Sequence, residues 1–473
     1  MTSTTQLEMI DGVRVVVPDS LDLITCYVLK EQQDWFEDEI KFLRRLLQPG
    51  QRIIDIGANL GVYTLSMART VGPTGRVWAF EPASSTAGLL AQGIAANGFG
   101  HVVLEQCALS SESGTLRLTL NDQSELNSLV RDGEPSGASE EVQVSTLDEC
   151  RERHGWRDIA FIKIDAEGEE RNILNGGKRF LAEESPLIQY EVKAGTQVHM
   201  ELVDHFAALG YPSYRLVPGL GILAPFDRAA RPDTYLLNLF ACKQDRADAL
   251  AKQGFLTQGT AAATQARGGG LSAMWSRITS RVAYDWHTTL MRLPYGKQLA
   301  GLWKSTMKDS DDSSEVAEAL HDYAMSRDAD LPASQRFAAL SKSVGAFRSL
   351  AGRGSRGLRL ASLARAAADL GERSLAIEAL QRLGTEVNEK KQVDLAEPFL
   401  VPSARFDTIV PGDSIGDWVM AATMEELERL GAFSSFYTRQ TTLPRLDALR
   451  AMGFASPEMQ RRAALIRQRF ALG

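Results

Sequence analysis

Between Arg52 and Pro82 the chain reads RIIDIGANLGVYTLSMARTVGPTGRVWAFEP, and few folds accommodate such a run. An apolar segment, IIDI, enters a turn carrying Asp55, Gly57, Asn59 and Gly61. A helix over residues 63–70 follows, and a second apolar segment, RVWAF, ends in Glu81. Strand, glycine-bearing turn, helix, strand is the pattern of a nucleotide-type βαβ unit. Glycine lets backbone approach a ligand closely, and the helix N-terminus beyond it offers unpaired N–H groups. Glu81 lies 24 positions after Gly57, where a carboxylate can accept both hydroxyls of a ribose.

The spacing disfavours a dinucleotide. A pyrophosphate-binding fingerprint has three glycines at G-x-G-x-x-G, whereas here Gly57 and Gly61 are four apart and Asp55 stands two residues ahead. Asp55 repels a pyrophosphate and suits an ammonium, directly or through water, while the N–H groups of the turn suit a carboxylate. A ligand with an amino-acid end and a ribose end is S-adenosyl-L-methionine, which is the expected cofactor.

A chain of 473 residues is too long for one ordinary core, so two or three domains are expected. Its net charge of -8, with no long Lys/Arg run, disfavours nucleic acid as a partner. The N-terminus has no basic flank before an apolar core, and no apolar stretch reaches spanning length, so a cytoplasmic protein without a membrane span is expected. Cys26, Cys107, Cys150 and Cys242 are scattered without a C-x-x-C pair and read as small buried hydrophobes.

Ahead of the central run, Trp35, Phe36, Ile40, Leu43 and Leu47 recur at helical spacing, predicting a helix that lids the ligand cleft. Glu37 lies off that stripe, either as a solvated charge or as a cofactor or substrate contact. After Glu81 a helix over 85–97 leads to a strand over 102–107 and to Ala108, whose backbone falls near an adenine. A strand is expected over 114–120 and a long polar loop over 121–140.

A second informative stretch is IAFIKIDAEGEE, residues 159–170. A buried strand ends in Asp165, and Glu167, Glu169 and Glu170 follow around Gly168. The next strand, 187–190, ends in Glu191. Adjacent parallel strands ending in carboxylates put both acids on the lip of one crevice. Lys163, flanked by isoleucines, is expected to pair with a neighbouring carboxylate. Two last strands, 211–214 and 235–242, read as an antiparallel edge hairpin closing the first domain.

The series IIDIGANLGVYTL, AFEP, CALS, STLDE, FIKIDAEGEERNILNGG and QYEV resembles the FkbM-type family of S-adenosylmethionine-dependent methyltransferases, over roughly residues 7–243. The resemblance implies a doubly wound, Rossmann-like α/β sheet of the class I methyltransferase kind with an antiparallel edge hairpin. It implies Asp55, Gly57, Asn59, Gly61, Glu81 and Ala108 as cofactor residues, with Asp165 where cofactor methyl and substrate meet. Family members generally methylate hydroxyls of polyketides, sugars and related bacterial products.

Methyl transfer to an alcohol needs alignment of oxygen, methyl carbon and sulfur, and loss of the hydroxyl proton to a base or on a metal. Asp165, Glu167 and His199 are candidate catalytic groups. Asp165 with Glu191 is a candidate Mg2+ site, although two carboxylates are few for a dedicated one.

Composition then shifts. Residues 244–271 read as a linker rich in Ala, Gln, Thr and Gly. Residues 272–312 carry Trp275, Trp286 and Trp303 in a basic context, which suits a docking surface or burial against a neighbouring domain. Pro294 and Gly296 interrupt any long helix there. Residues 313–473 are helical in pattern. The hairpin 358–371 and 373–384 resembles a tetratricopeptide unit, and the tail resembles helical segments beside glycosyltransferase and tetratricopeptide regions of bacterial surface-glycan proteins. The reading is an O-methyltransferase acting on a hydroxyl of a sugar or glycan precursor, a small-molecule or glycan substrate, with a helical domain for a protein partner or self-association. The alternatives are O-methylation of a polyketide or other secondary metabolite, and a cofactor-binding scaffold without turnover.

Overall fold

A computed structural model of the chain describes residues 3–121, 123–124, 127–130, 137–194, 197–259, 285–307, 313–354, 356–390 and 392–471. The chain divides into two compact units: residues 1–215 with 236–250, and residues 216–235 with 251–473.

In chain order the first unit opens with β1 (Thr4–Glu8), β2 (Arg14–Pro18), α1 (Ile24–Gln32) and α2 (Asp38–Leu46). The nucleotide-type unit follows as β3 (Arg52–Ile56), α3 (Val62–Val71), β4 (Arg76–Phe80), α4 (Ser84–Asn97) and β5 (Val102–Glu105). Next come β6 (Ala108–Leu109), β7 (Gly114–Thr119), β8 (Ser128–Val130), β9 (Ser139–Ser145), α5 (Leu147–His154), β10 (Ile159–Ile164), α6 (Glu170–Asn175), α7 (Lys178–Glu183) and β11 (Leu187–Glu191). The unit continues through β12 (Lys193–Ala194), β13 (Gln197–Val198), α8 (Met200–Ala208) and β14 (Ser213–Val217). After β15 (Ile222–Pro225), which belongs to the second unit, it finishes with β16 (Asn238–Ala241) and α9 (Gln244–Lys252).

Within this unit the strands neighbour one another in the order β14-β16-β11-β10-β3-β4-β5. β5, β4, β3, β10 and β11 are mutually parallel; β16 runs antiparallel to both β11 and β14. This is the expected doubly wound sheet with an antiparallel edge. Four of the five parallel strands, β3, β4, β10 and β11, are buried apolar runs, Ile53, Ile54, Val77, Phe80, Phe161, Ile162 and Ile188 among them, as a sheet covered on both faces requires, while β5 at the edge is half-buried. Winding reverses between β3 and β10: α3 and α4 carry the chain outward to β5, and β10 returns to the other side of β3. A crevice opens at such a switch point above the carboxyl ends of the strands.

Three expectations shift in detail. The helix foreseen from Trp35 begins at Asp38, because Glu37 is extended (φ -77°, ψ 135°) and uses its carboxylate elsewhere; Trp35 and Phe36 stack on each other ahead of it, ring centres 4.6 Å apart. The polar loop of 121–140 contains β8, which pairs antiparallel with β7 through Arg117–Val130 and Leu118–Leu129; Leu129 packs on Ala83, Leu118 and Val142, so apolar contact outweighs the polar composition around it. Residues 122, 125–126 and 131–136 of that stretch lie outside the described residues. Residues 244–252, assigned to the linker by composition, are the helix α9, with Ala247 and Leu250 buried. Most of the remaining linker, 260–271, lies outside the described residues. All four cysteines are buried and free, and no described helix is long and apolar enough to cross a membrane.

The second unit is mostly helical. Helices Ser313–Ser326, Ala333–Gly352, Leu358–Leu370, Arg373–Lys390 and Ile415–Gly431 pack each on the next. Gly371, left-handed at φ 86°, ends one arm of the expected hairpin. Trp286 and Trp303 lie in this unit's core, Trp303 fully enclosed with its Nε1 donating to the Leu395 carbonyl at 2.9 Å, so these residues serve burial. Trp275 lies outside the described residues. Pro294 sits in the first turn of Pro294–Thr306, separating it from Trp286–Leu290, and Gly296 is pressed so close that an added Cβ would stand 1.9 Å from the Leu290 carbonyl oxygen.

Candidate active site at the switch point of the sheet

Strand register builds the site in two tiers. Lys163 of β10 pairs with Asp55 of β3 on one side and Gln189 of β11 on the other, so the three side chains stand in a row on one face of the sheet. All three are buried, Asp55 and Gln189 completely. Two residues further along the same face come Gly57, Asp165 and Glu191, where the strands end. Asn238 of β16, opposite Glu191, extends this upper tier.

The turn after β3 has the geometry its sequence demands. Gly57 (φ 78°), Asn59 (φ 45°) and Gly61 (φ 87°) are all left-handed. Gly57 has a further reason to be glycine: a Cβ there would lie 1.7 Å from the backbone oxygen of Asp165. The turns after β3 and β10 therefore touch by backbone. Glu81, nearly enclosed at the end of β4, accepts the Asn59 N–H at one oxygen and the Ala83 N–H at the other, both at 2.9 Å. Burial pushes its carboxyl up to about 7, against the lowering effect of those N–H groups. The Asn59 side chain accepts a hydrogen bond from Ser124 Oγ at 2.9 Å, and Ala108 is buried in β6, opposite Val144 of β9.

Asp55 is fully enclosed under the turn, not open to the crevice. Thr64 Oγ1 donates to its Oδ2 at 2.5 Å, and Oδ1 has no hydrogen-bond partner among the described residues. Burial raises its carboxyl pKa against the pull of Lys163. Lys163 Nζ donates to Asp165 Oδ2 at 2.6 Å, a carboxylate of its own strand, and lies 4.9 Å from the centre of the Tyr63 ring. Burial alone would lower the Lys163 pKa; Asp165, Asp55 and Glu37 outweigh it, and the ammonium is stabilised.

Glu37 reaches this cluster from the start of α2. Tyr63 Oη donates to it at 2.5 Å, Trp35 Nε1 at 3.0 Å and Asn238 Nδ2 at 3.1 Å, so it ties three separate segments together and is not a solvated charge. Gln189 Nε2 lies 3.5 Å from the Tyr63 oxygen. Burial, then the neighbouring Asp165, Glu167 and Glu37, raise the Glu191 carboxyl far above its ordinary range. Asp165, Glu167 and Glu191 bring one oxygen each within 4.8 Å of one another, all three half-buried. His199 stands apart in its bonding: its Nδ1 meets Glu201 Oε1 at 2.7 Å, at the start of its own helix α8. Glu169 accepts Ser110 Oγ and Asn172 Nδ2, while Glu170 turns back to the 165–168 turn.

The structure thus brings Asp55, Gly57, Asn59, Gly61, Glu81, Asp165, Glu167 and Glu191 to the β3–β10 switch point. Residues 55–212 match the model of the methyltransferase FkbM domain family. Over these residues the chain is similar to FkbM methyltransferase domains. The FkbM match covers about a third of the chain and does not extend to the helical half. Among solved structures the chain is similar to a methyltransferase FkbM from Methylobacillus flagellatus KT, at 18% identity and a TM-score of 0.28; the similarity covers 42% of this chain and 45% of that one. It is also similar to a SAM-dependent O-methyltransferase from Thermotoga maritima, at 17% identity and a TM-score of 0.27, covering 50% of this chain and 77% of the other. No curated protein matches.

Tyr63, Thr64, Gln189 and Asn238 join this cluster without having been singled out by motif reading. Tyr63 and Thr64 lie inside the motif, but only the pairing of distant strands places Gln189 and Asn238 there. The alternation of Asp55 with Gly57, and of Gln189 with Glu191, was the available signal.

Proposed function

We propose that this protein transfers a methyl group from S-adenosyl-L-methionine to a hydroxyl of a sugar or glycan precursor. The observation that carries the reading is the meeting of the Gly57 turn with the Asp165 turn at the switch point, with Glu81 at the end of the adjacent strand. The residues fit this cofactor. The left-handed turn at Gly57 carries no side chain at that position, the N-terminus of α3 lies just beyond, and Glu81 can take two hydroxyl donors. Asp55, enclosed beneath, supports the ammonium end through the turn and its field, not by direct contact.

When bound, the cofactor supplies a methyl group on a positively charged sulfur. The protein's part is to hold the acceptor in line and relieve it of a proton. Asp165 and Glu167 stand at the mouth as acceptors for that proton. Asp165, Glu167 and Glu191 would hold Mg2+ if it bound, and the ion would then supply Lewis-acid activation of the hydroxyl, since hard oxygen ligands suit it. We assign the helical half to interaction with a protein partner or a second copy, and the choice of a glycan acceptor rests on the tail's sequence resemblance alone.

Binding of S-adenosylhomocysteine to the wild type, Asp55→Ala and Glu81→Ala tests the site. Weaker binding in both variants is expected, and equal affinity in all three rejects it. Turnover with a panel of sugar nucleotides, free sugars and polyketides identifies the acceptor, and product formed undiminished in EDTA removes the metal route.

A further inference from the structure

The turn that carries Asp165 and Glu167 is bent in a way its own residues do not favour. Glu167 has φ 46° and Gly168 φ 97°. A left-handed glutamate is uncommon and persists only where its surroundings hold it there. The Asp165 backbone oxygen is pressed against Gly57, so the turn has little room to relax.

Side-chain contacts hold it, beside the backbone bonds from Asp165 N–H to the Ile56 carbonyl at 3.1 Å and from Glu169 N–H to the Ala166 carbonyl at 3.2 Å. From below, Lys163 fixes the Asp165 side chain at 2.6 Å. From behind, a single atom, Oε1 of Glu170, accepts the Ala166 N–H at 3.0 Å and the Gly168 N–H at 3.2 Å, bracketing Glu167. Glu170 is itself buried, and burial is the leading cause that raises its carboxyl pKa.

We infer that Glu170 is a positioning residue of the methyl-transfer crevice: through the Ala166 and Gly168 amides it sets where the carboxylates of Asp165 and Glu167 stand against the Gly57 turn. This rests on the cofactor reading given above. The role asks for an oxygen at a set reach and does not ask for charge. Glutamine keeps that oxygen and loses the charge; aspartate keeps the charge and falls one methylene short.

The test compares wild type, Glu170→Gln, Glu170→Asp and Glu170→Ala for S-adenosylhomocysteine affinity by calorimetry and for hydrogen exchange at the Ala166 and Gly168 amides. Glu170→Gln should bind within about threefold of wild type and keep both amides protected. Glu170→Asp should lose about tenfold or more in affinity, one hydrogen bond's worth, with both amides exchanging faster. Glu170→Ala should follow aspartate; if it does not fold, the glutamine and aspartate pair decides alone. Aspartate behaving as wild type while glutamine fails would overturn the inference, as would unchanged affinity in all three variants. If the wild type itself does not bind S-adenosylhomocysteine, the cofactor reading has failed, and exchange at the two amides still separates glutamine from aspartate.

Discussion

Both units bury charge, but they balance it differently. In the helical unit several buried acids are matched by arginines. Arg359 and Glu397, each 5% exposed, form a two-pronged pair at 2.8 and 2.7 Å. Arg405 meets Glu425 through two bonds as well, while Arg445 meets Glu428 at 2.7 Å and Arg365 meets Asp407 at 2.8 Å through one each. At the switch point of the first unit one ammonium, Lys163, is shared among Asp55, Glu37 and Asp165, with Glu191 and Glu167 close by. A matched pair neutralises itself and holds helices in place. An unmatched group of acids keeps a field directed at whatever enters, and the fold tolerates its repulsion only because strand ends and backbone N–H groups surround it. Imbalance of buried charge, more than its amount, marks the working end of this molecule.

The largest effect expected from breaking this contrast lies in the helical unit. Arg359→Met leaves Glu397 buried, with only Arg356 Nε at 3.2 Å to answer it, and should cost about 3–5 kcal/mol of stability in a denaturant melt. S-adenosylhomocysteine affinity of the folded fraction should stay within about twofold. A variant equally stable but unable to bind would place function in the matched charges and dissolve the distinction.

Gly57→Ala is next. A Cβ at 1.7 Å from backbone cannot be relieved by a side-chain rotation, and the residue is left-handed. Affinity for S-adenosylhomocysteine should fall by about a hundredfold, ~3 kcal/mol, measured by calorimetry. Retained affinity would show that the contact of the two turns is not part of the site.

The smallest effect is a pH dependence at Glu81, raised by burial to about 7 from the usual 4.5. The folded protein binds this proton more tightly than the unfolded chain. The stability Glu81 contributes is therefore fully present below pH 4.5 and is lost as pH rises through 7. Ligand binding runs the other way, since ribose hydroxyls donate to the ionised form. S-adenosylhomocysteine affinity should rise by up to about tenfold per unit towards pH 7 and level off above it. Glu81→Gln should flatten that profile; an unchanged profile would assign the dependence to another group of the acid cluster.

Much of the first unit was legible because its signals are local. A glycine forced left-handed, an apolar run and an acid at its end each declare themselves within a few residues. The position of β3, α3 and β4 and the gathering of Asp165 with Glu191 followed from that. Glu37 read as an ambiguous helix charge because its donors, Tyr63 and Asn238, lie 26 and 201 positions away. β8 was hidden because Leu129 finds its apolar partners only in the folded sheet.

The amino-acid order alone determined which backbone conformations were required, which segments had to be strands, and that carboxylates would end them, because sterics and hydrophobic alternation act between near neighbours. The tertiary structure decided what those carboxylates face: Asp55 closed off beneath its turn, Glu81 holding two amides, Lys163 shared among several acids, Glu170 bracing the bend beside Gly57. Such assignments depend on strand register and on desolvation, which arise only when distant parts of the chain exclude water together.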